Sequence, residues 1–192
     1  GISAGLVTFR PMASFFKSRK TNEELALAAR MDKRAFEELY RRMVDRAFGY
    51  FKRRTGSVED AEDLTQALFV KLYQSLDHYR DTGVPFEAWF FRVARNVLID
   101  HIRATKTYEE LEDATVADGQ LDPVESLSDR IALEEAVRML PKSYQDVINF
   151  AFFEGLTGKE LAYVLGVSEE NARVLKHRAV KALGKIIASD ER

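Results

Sequence analysis

The sequence contains no cysteine and only three histidines among its 192 residues. Disulfide bonds and thiolate metal ligands are therefore excluded, which fits a reducing cytosol. His78, His101 and His177 lie far apart in the chain and lack a helical i, i+4 partner, so we expect no metal site. No apolar run approaches the roughly 20 residues that span a bilayer. These absences predict a protein without cofactor, metal or membrane segment of its own.

Signatures of catalysis are also missing. The chain has no glycine-rich phosphate loop, no nucleophile elbow and no cluster of metal ligands. Carboxylates are plentiful, but they fall on exposed faces of predicted helices and in a predicted linker. We therefore do not expect an enzyme, and the sequence indicates no catalytic residues.

Charge is distributed unevenly along the chain, although the net charge is only −2. Residues 104–140 carry ten acidic and three basic side chains, whereas residues 1–21 carry four basic side chains and no acidic one. In that N-terminal stretch the apolar part precedes the charge, an order that export signals do not have. We predict a disordered basic tail there, with Met12 as a candidate natural start.

The stretch from Thr157 to Leu183 has the pattern of a helix-turn-helix. Thr157 and Glu160 form a capping box at the start of a short helix, and Gly166 ends that helix. Ser168 then caps a second helix. Its buried stripe is predicted to contain Ala172, Leu175, Ala179 and Leu183.

The second helix of this pair is basic. From Asn171 to Lys185 it contains five lysines or arginines and no acid, which suits an approach to phosphates and base edges in a major groove. Residues near the predicted outer face are Asn171, Arg173, Val174, His177 and Arg178. Glu169 and Glu170 precede them, and such acids either repel phosphate or accept a hydrogen bond from a cytosine amine. The alternative is a helical hairpin with a merely solvated basic face.

Helical periodicity dominates the rest of the chain, and no strand-period segment is present. Apolar spacing predicts a short helix near 22–29 and longer helices over 33–54, 58–76 and 85–103, while 77–85 is predicted as a loop. We predict an all-α fold with two small helical modules joined by an acidic flexible linker, the second module being the helix-turn-helix. The predicted divisions are a tail at 1–21, a first module at 22–103, a linker at 104–127 and a second module at 128–192. In the second, Ser128 is expected to cap a helix, and Tyr144, Val147, Ile148 and Phe152 to support the helix-turn-helix.

Three strings in this order resemble those of extracytoplasmic-function (ECF) sigma factors, the smallest class of the bacterial sigma-70 family: DAEDLTQALFVKLYQSLDHY (60–79), PFEAWFFRVARNVLIDHIR (85–103) and LPKSYQDVINFAFFEGLTGKELAYVLGVSEENARVLKHRA (140–179). The resemblance implies a cytoplasmic promoter-specificity subunit without a catalytic site. Its partners would be core RNA polymerase, promoter DNA and an anti-sigma factor. The first module would read a minus-ten element and the second a minus-thirty-five element.

The resemblance and the predicted helix faces together assign three sets of site residues. Core polymerase would bind Asp60, Asp63, Leu64 and Gln66, with Ala67 departing from the family pattern, which usually has an acid there. Minus-ten DNA would meet Tyr79, Arg80, Arg92, Arg95, Asn96 and Arg103, with Tyr79 and Asn96 at a flipped base. Minus-thirty-five DNA would meet Asn171, Arg173, Val174, His177, Arg178 and Lys181. Trp89 is expected in the core, because it is in register with Val93 and Ala94.

Other interpretations remain open at this point. A helix-turn-helix transcriptional regulator with a helical sensor domain would also have a basic recognition helix, but it would not explain the arginine-rich third helix of the first module. The acidic face of 58–76 would alternatively be a solvated surface. As a hypothesis on regulation, the acidic linker lies against the basic helix at 171–185 in the free protein. Such an exposed attraction is screened over about 10 Å at 0.1 M salt.

Overall fold

The computed structural model describes residues 20–80, 83–109 and 128–190, and every long element within these ranges is an α-helix. The helices are α1 (Asn22–Ala28), α2 (Lys33–Thr55), α3 (Val58–Ser75), α4 (Phe86–Glu109), α5 (Ser128–Arg138), α6 (Lys142–Ile148), α7 (Gly158–Leu165) and α8 (Glu169–Asp190). A 3-10 turn (Leu76–His78) follows α3, and a π-helical turn (Asn149–Phe153) follows α6. The predicted all-α class is confirmed.

Side-chain caps fix where the helices begin, as the sequence predicts. Ser57 Oγ accepts from the Asp60 amide at 3.1 Å at the start of α3, and Thr157 and Glu160 form both halves of the capping box of α7. Gly56 ends α2 at φ 77°, a left-handed conformation that costs glycine little. These local signals position the helices independently of tertiary contacts.

Two predicted boundaries need correction. Helix α4 continues to Glu109 rather than ending near 103, because residues 104–109, ATKTYE, contain no glycine or proline to stop it. Ser128 lies within α5 rather than before it as a cap. The remaining linker residues and the tail before residue 20 lie outside the described residues, as does the proposed contact between linker and basic helix.

Helices α1 to α4 form the first module around an apolar core. This core includes Leu39 and Met43 of α2, Leu68 of α3 and Phe90 of α4, all at most 1% exposed. Trp89 is half-buried and packs against this core, as predicted.

Helices α5 to α8 form the second module. Ala172 and Ala179 are completely buried, which lets α8 approach its neighbours closely. Phe152, however, is 55% exposed, contrary to the prediction that it supports the helix-turn-helix. It lies in the π-helical turn, whose wider winding changes the direction of each side chain relative to an α-helix.

The two modules touch directly, which their division by a linker did not predict. Phe150 of the second module is fully buried. Its ring centroid lies 5.0 Å from that of Tyr50 and 5.8 Å from that of Phe91, both in the first module. The buried apolar residues of the two modules thus form one continuous cluster.

Candidate nucleic-acid and protein interfaces

Helix α8 presents its basic residues to solvent. Gly166 turns the chain at φ 71°, and Ser168 Oγ then accepts from the Asn171 amide at 3.2 Å. The residues predicted to meet minus-thirty-five DNA are all exposed, namely Asn171, Arg173, Val174, His177, Arg178 and Lys181. Arg173 comes only to 4.0 Å of Glu170, and both side chains are about four-fifths exposed, at 81% and 80%, so this pair holds the guanidinium weakly.

Leu175 and Lys176 are less exposed than the predicted DNA-contacting residues of α8. Leu175 is half-buried against the core. The Lys176 ammonium lies 5.0 Å from the ring centroid of Phe152, so it is partly covered and separate from the exposed row. The exposed residues therefore lie on the side of α8 that the sequence predicted to face outward.

An acidic surface lies on α3, where Asp63 and Gln66 are exposed and Asp60 is half-buried. Leu64, which was also predicted to bind core polymerase, is only 4% exposed, so it forms the floor of a groove rather than projecting from the surface. The groove runs between α3 and α4. It is lined by Asp63, Leu64, Ala67, Lys71, Val97, Asp100, His101 and Ala104.

Two features shape this groove. Lys71 Nζ bridges to Asp100 Oδ2 at 3.1 Å, which ties the two helices together across it. The small side chain of Ala67 leaves room where the family pattern has an acid. The sequence did not predict that residues of α4 line this groove, because their position depends on how α3 and α4 cross.

The loop aromatic Tyr79 is buried, contrary to its expected display on an exposed loop. Its side chain is 1% exposed, and its ring centroid lies 4.9 Å from Trp89 and 5.8 Å from Phe86. Arg30, which follows α1, donates to the carbonyl oxygens of Leu76, at 3.0 Å, and of Tyr79. The loop is thus anchored at its start to the rest of the module.

The other predicted minus-ten residues divide into two groups. Arg80, Asn96 and Arg103 are exposed, with Arg80 Nη1 donating to the Asp77 carbonyl at 2.6 Å. Arg92, which is also exposed, and Arg95, which is half-buried, contact the second module. The Arg92 guanidinium lies 4.7 Å from the ring centroid of Tyr163, and Arg95 Nε is 3.0 Å from Asp146 Oδ2.

Asp146 is the centre of a buried polar network between the modules. The residue is 4% exposed. Besides Arg95, it accepts from Arg54 Nε at 2.8 Å and from the Tyr50 hydroxyl at 3.3 Å. Burial, and secondarily the Asp146 charge, raises the pKa of Tyr50 well above its ordinary value, so this phenol stays protonated and donates.

A second carboxylate, Glu154, makes similar contacts. Its Oε2 is 3.0 Å from Arg46 Nε and its Oε1 is 2.9 Å from Arg53 Nη2, and the Glu154 side chain is 5% exposed. Sequence reasoning missed both carboxylates. A hint in the sequence was that the charged Asp146 stands directly before the apolar Val147 and Ile148, in a helix predicted to be buried.

The described residues contain no group of three or more histidine and acidic side chains able to hold a metal ion. None of the described helices is long and apolar enough to cross a membrane.

The fold and the exposed basic row define a protein of two helical modules whose second module is a helix-turn-helix. Family comparison agrees with this division, because the sigma-70 region 2 model matches residues 39–107 and the sigma-70 region 4 model matches residues 130–183. The chain belongs to the ECF class of the sigma-70 family. The alternative of a regulator with a sensor domain is not favoured, since region 2 occupies the first module.

Three similar proteins illustrate the match. The ECF sigma factor SigW of Bacillus subtilis is 30% identical over 80% of this chain and 89% of its own. SigL of Mycobacterium tuberculosis is 30% identical over 70% of this chain and 78% of its own. BldN of Streptomyces coelicolor is 33% identical over 82% of this chain, which spans only 62% of BldN.

Solved structures support the fold. CnrH, in complex with the cytosolic domain of CnrY, is similar with a TM-score of 0.68 and 24% identity over 89% of this chain and 99% of the other. The sigma factor RpoE of Bartonella quintana, in complex with the anti-sigma factor NepR, is similar with a TM-score of 0.70 and 18% identity over 81% and 98%. At these identities the likeness concerns the fold alone.

Proposed function

We propose that this chain binds core RNA polymerase in the cytoplasm and directs it to promoters that carry a minus-thirty-five and a minus-ten element. The observation that carries the proposal is the exposed basic row on α8, which follows a left-handed glycine turn in the arrangement of a helix-turn-helix. The role is one of binding rather than catalysis.

Helix α8 would enter the major groove at the minus-thirty-five element. Arg173 and Arg178 suit guanine, because a guanidinium donates two hydrogen bonds to its O6 and N7, while Val174 suits a thymine methyl group. Lys181 lies farther along the helix and suits a phosphate, which positions the protein without reading sequence.

Helix α4 and the loop before it would hold the opened minus-ten strand. Arg92, Arg95 and Arg103 supply positive charge for the single-stranded backbone, and the exposed amide of Asn96 suits a base edge. Because Tyr79 is buried against Trp89, its contact with a flipped base requires the loop to release this ring when DNA binds.

Core polymerase would dock on the α3 surface, where Asp63 and Gln66 flank the groove floored by Leu64. The mixture of acidic rim and apolar floor suits a helical partner with basic side chains. By analogy with RpoE of Bartonella quintana, whose solved structure is a complex with the anti-sigma factor NepR, we also propose that an anti-sigma factor binds this chain.

In vitro transcription tests the proposal. Core polymerase with this chain should start RNA synthesis at a restricted set of sites in genomic fragments, and the mapped sites should share two upstream motifs. An Arg173→Ala variant should initiate less at these sites, with relaxed preference in the upstream motif, while retaining core binding. A chain that binds specific DNA but never changes the start sites of core polymerase would instead be a conventional regulator.

A further inference from the structure

We propose that Arg30 and Glu23, together called the loop anchors, are positioning residues that hold the two ends of the strand-opening loop (residues 77–85) and so sharpen its choice of minus-ten base. The inference rests on the proposed function, because it takes this loop as a part of the first module that meets the minus-ten strand. The sigma-70 region 2 model matches only from residue 39, so the loop anchors come from a part of the chain outside that match.

The start of the loop is held by Arg30, which lies in the turn between α1 and α2. Its Nε donates to the Leu76 carbonyl at 3.0 Å, and its Nη2 donates to the Tyr79 carbonyl. Both bonds come from one planar guanidinium, whose donors have a fixed relative geometry. Arg30 is half-buried. A single side chain thus fixes the backbone where the loop leaves α3.

The end of the loop is held by Glu23 of α1. Glu23 Oε1 accepts from the Phe86 amide at 2.8 Å, and Phe86 is the first residue of α4. The first amides of a helix have no partner within the helix, and a nearby Ser, Thr, Asp or Asn usually accepts from one of them. Here the acceptor comes from a helix 63 residues earlier in the chain. The side chain of Asn22 also donates to that of Glu87, so α1 grips the start of α4 twice.

The charge of Glu23 suits this position. Burial raises the pKa of Glu23, but the hydrogen bonds that it accepts, first among them the bond from the Phe86 amide, lower the pKa below its ordinary value. The carboxylate is therefore ionised at neutral pH. A negative charge at the N-terminal end of α4 is favourable, because the helix dipole is positive there.

The loop anchors stand on a well-packed support. Leu25, Ala26 and Ala29 are at most 3% exposed, so α1 and the start of the following turn are packed into the core of the first module. Arg42 of α2 adds a polar contact, because its Nη1 donates to Asn22 Oδ1 at 2.9 Å. Since the support is close-packed, it transmits little movement to the loop ends.

This anchoring acts on the backbone of Tyr79 rather than on its ring. The ring packs 4.9 Å from that of Trp89, and rotation about the Cα–Cβ bond changes its direction while the carbonyl stays on Arg30. A loop with fixed ends has fewer conformations to lose when a strand binds. The loop anchors should therefore strengthen minus-ten binding and, because the pivot of the ring is fixed, improve discrimination between bases.

Variants of the full chain test the loop anchors. Arg30→Ala and Glu23→Ala each remove one anchor, whereas Arg30→Lys keeps a donor and Glu23→Gln keeps an acceptor. Arg34→Ala and Glu37→Ala remove exposed side chains of the same charges from α2 and are the matched controls. An unfolding curve for each variant verifies that the chain is folded.

The first measurement is amide hydrogen exchange in the free chain. The Tyr79 amide donates to the Leu76 carbonyl at 3.0 Å, and the Phe86 amide donates to Glu23, so one amide reports on each end of the loop. Exchange at Tyr79 should be faster in Arg30→Ala, and exchange at Phe86 should be faster in Glu23→Ala. Both controls should exchange like the parent chain.

The second measurement uses the complex of core polymerase with the full chain. Its probes are short single strands that carry the minus-ten element of a mapped start site, or that element with one base replaced. Arg30→Ala and Glu23→Ala should bind the unaltered strand about three- to tenfold more weakly, because more of the loop must be ordered on binding. The ratio of affinities between the unaltered and the replaced strands should also fall. Arg30→Lys and Glu23→Gln should recover most of that ratio.

The ratio separates positioning from stability, since a loss of folded protein weakens the binding of every strand equally. Unchanged exchange at Tyr79 and Phe86 overturns the anchoring. Faster exchange with an unchanged affinity ratio overturns the positioning role. If the parent chain initiates no transcription with core polymerase, the proposed function is refuted and the role at the minus-ten element with it, while the exchange measurement still decides the anchoring because it needs neither polymerase nor DNA.

Discussion

Arg95 and Asp146 form an ion pair of 3.0 Å between α4 and α6, 51 residues apart in the chain. The arginine belongs to the helix proposed to hold the opened minus-ten strand, and the aspartate supports the helix-turn-helix. One contact therefore couples the two DNA-reading modules. Asp146 also pairs with Arg54, whose side chain is almost completely buried. Salt therefore screens this network less than it screens an exposed ion pair.

Docking on core polymerase is predicted to depend on α3. Asp63→Arg should weaken binding to core, because it reverses the charge at the rim of the groove, while far-ultraviolet circular dichroism should show unchanged helicity. Asp45→Arg makes the same change at an exposed position of α2 and serves as the control in a pulldown. Equal binding by both variants would place the docking surface elsewhere.

Strand opening is predicted to depend on Asn96. This side chain is exposed, so Asn96→Ala should change the free energy of unfolding by less than about 0.5 kcal/mol. Core binding should persist while permanganate-reactive thymines at the minus-ten element decrease. Normal thymine reactivity would rule out a base contact at this position.

Tyr79 is predicted to act on stability as well as on DNA. Tyr79→Ala should cost about 3–5 kcal/mol of unfolding free energy, the range for truncating a large buried aromatic side chain, and chemical denaturation measures this. The two effects are separable with Tyr79→Phe, which keeps the packing against Trp89. If Tyr79→Phe keeps both full stability and the permanganate-reactive thymines at the minus-ten element, the ring is sufficient for packing and strand opening. The hydroxyl is then not required.

Promoter choice at the upstream element is predicted to lie on α8. Arg173→Ala should cost about 1–3 kcal/mol of DNA binding and relax preference at one or two base pairs, whereas Lys181→Ala should weaken all sequences alike and reduce the salt slope by about one. A binding selection with randomised upstream elements compares the two. If only Lys181→Ala altered the selected motif, the prediction that Arg173 contacts bases and Lys181 contacts a phosphate would be wrong.

Stability at high pH is predicted to depend on Tyr50. Because its pKa in the folded state is raised above the ordinary value of 10.0, its stabilising effect is complete below pH 10 and decreases as the pH rises beyond it. There the unfolded chain loses the phenol proton and the folded chain keeps it. Urea unfolding between pH 8 and 11 should show a decrease of up to about 1.4 kcal/mol per pH unit from this group. Tyr50→Phe should remove that part of the pH dependence.

The sequence by itself determined the helices and the exposed basic row of α8. Caps such as Ser57 and Thr157 and stop signals such as Gly56 and Gly166 act within one turn of chain, so their effect is readable without tertiary contacts. The facing of α8 also followed from sequence, because the small residues Ala172 and Ala179 mark its buried side. Helix α4 extends past its predicted end because residues 104–109 contain no glycine or proline.

Only the tertiary structure decided what the charged and aromatic side chains face. Burial of Tyr79 depends on Trp89 and Phe86, which lie on the next helix, and the groove beside Asp63 depends on how α3 and α4 cross. Asp146 meets Arg95 because the modules pack together, and the π-helical turn that aims Glu154 has no simple sequence period. Contacts between residues distant in the chain are set by the packing of whole helices, which local propensity and spacing do not specify.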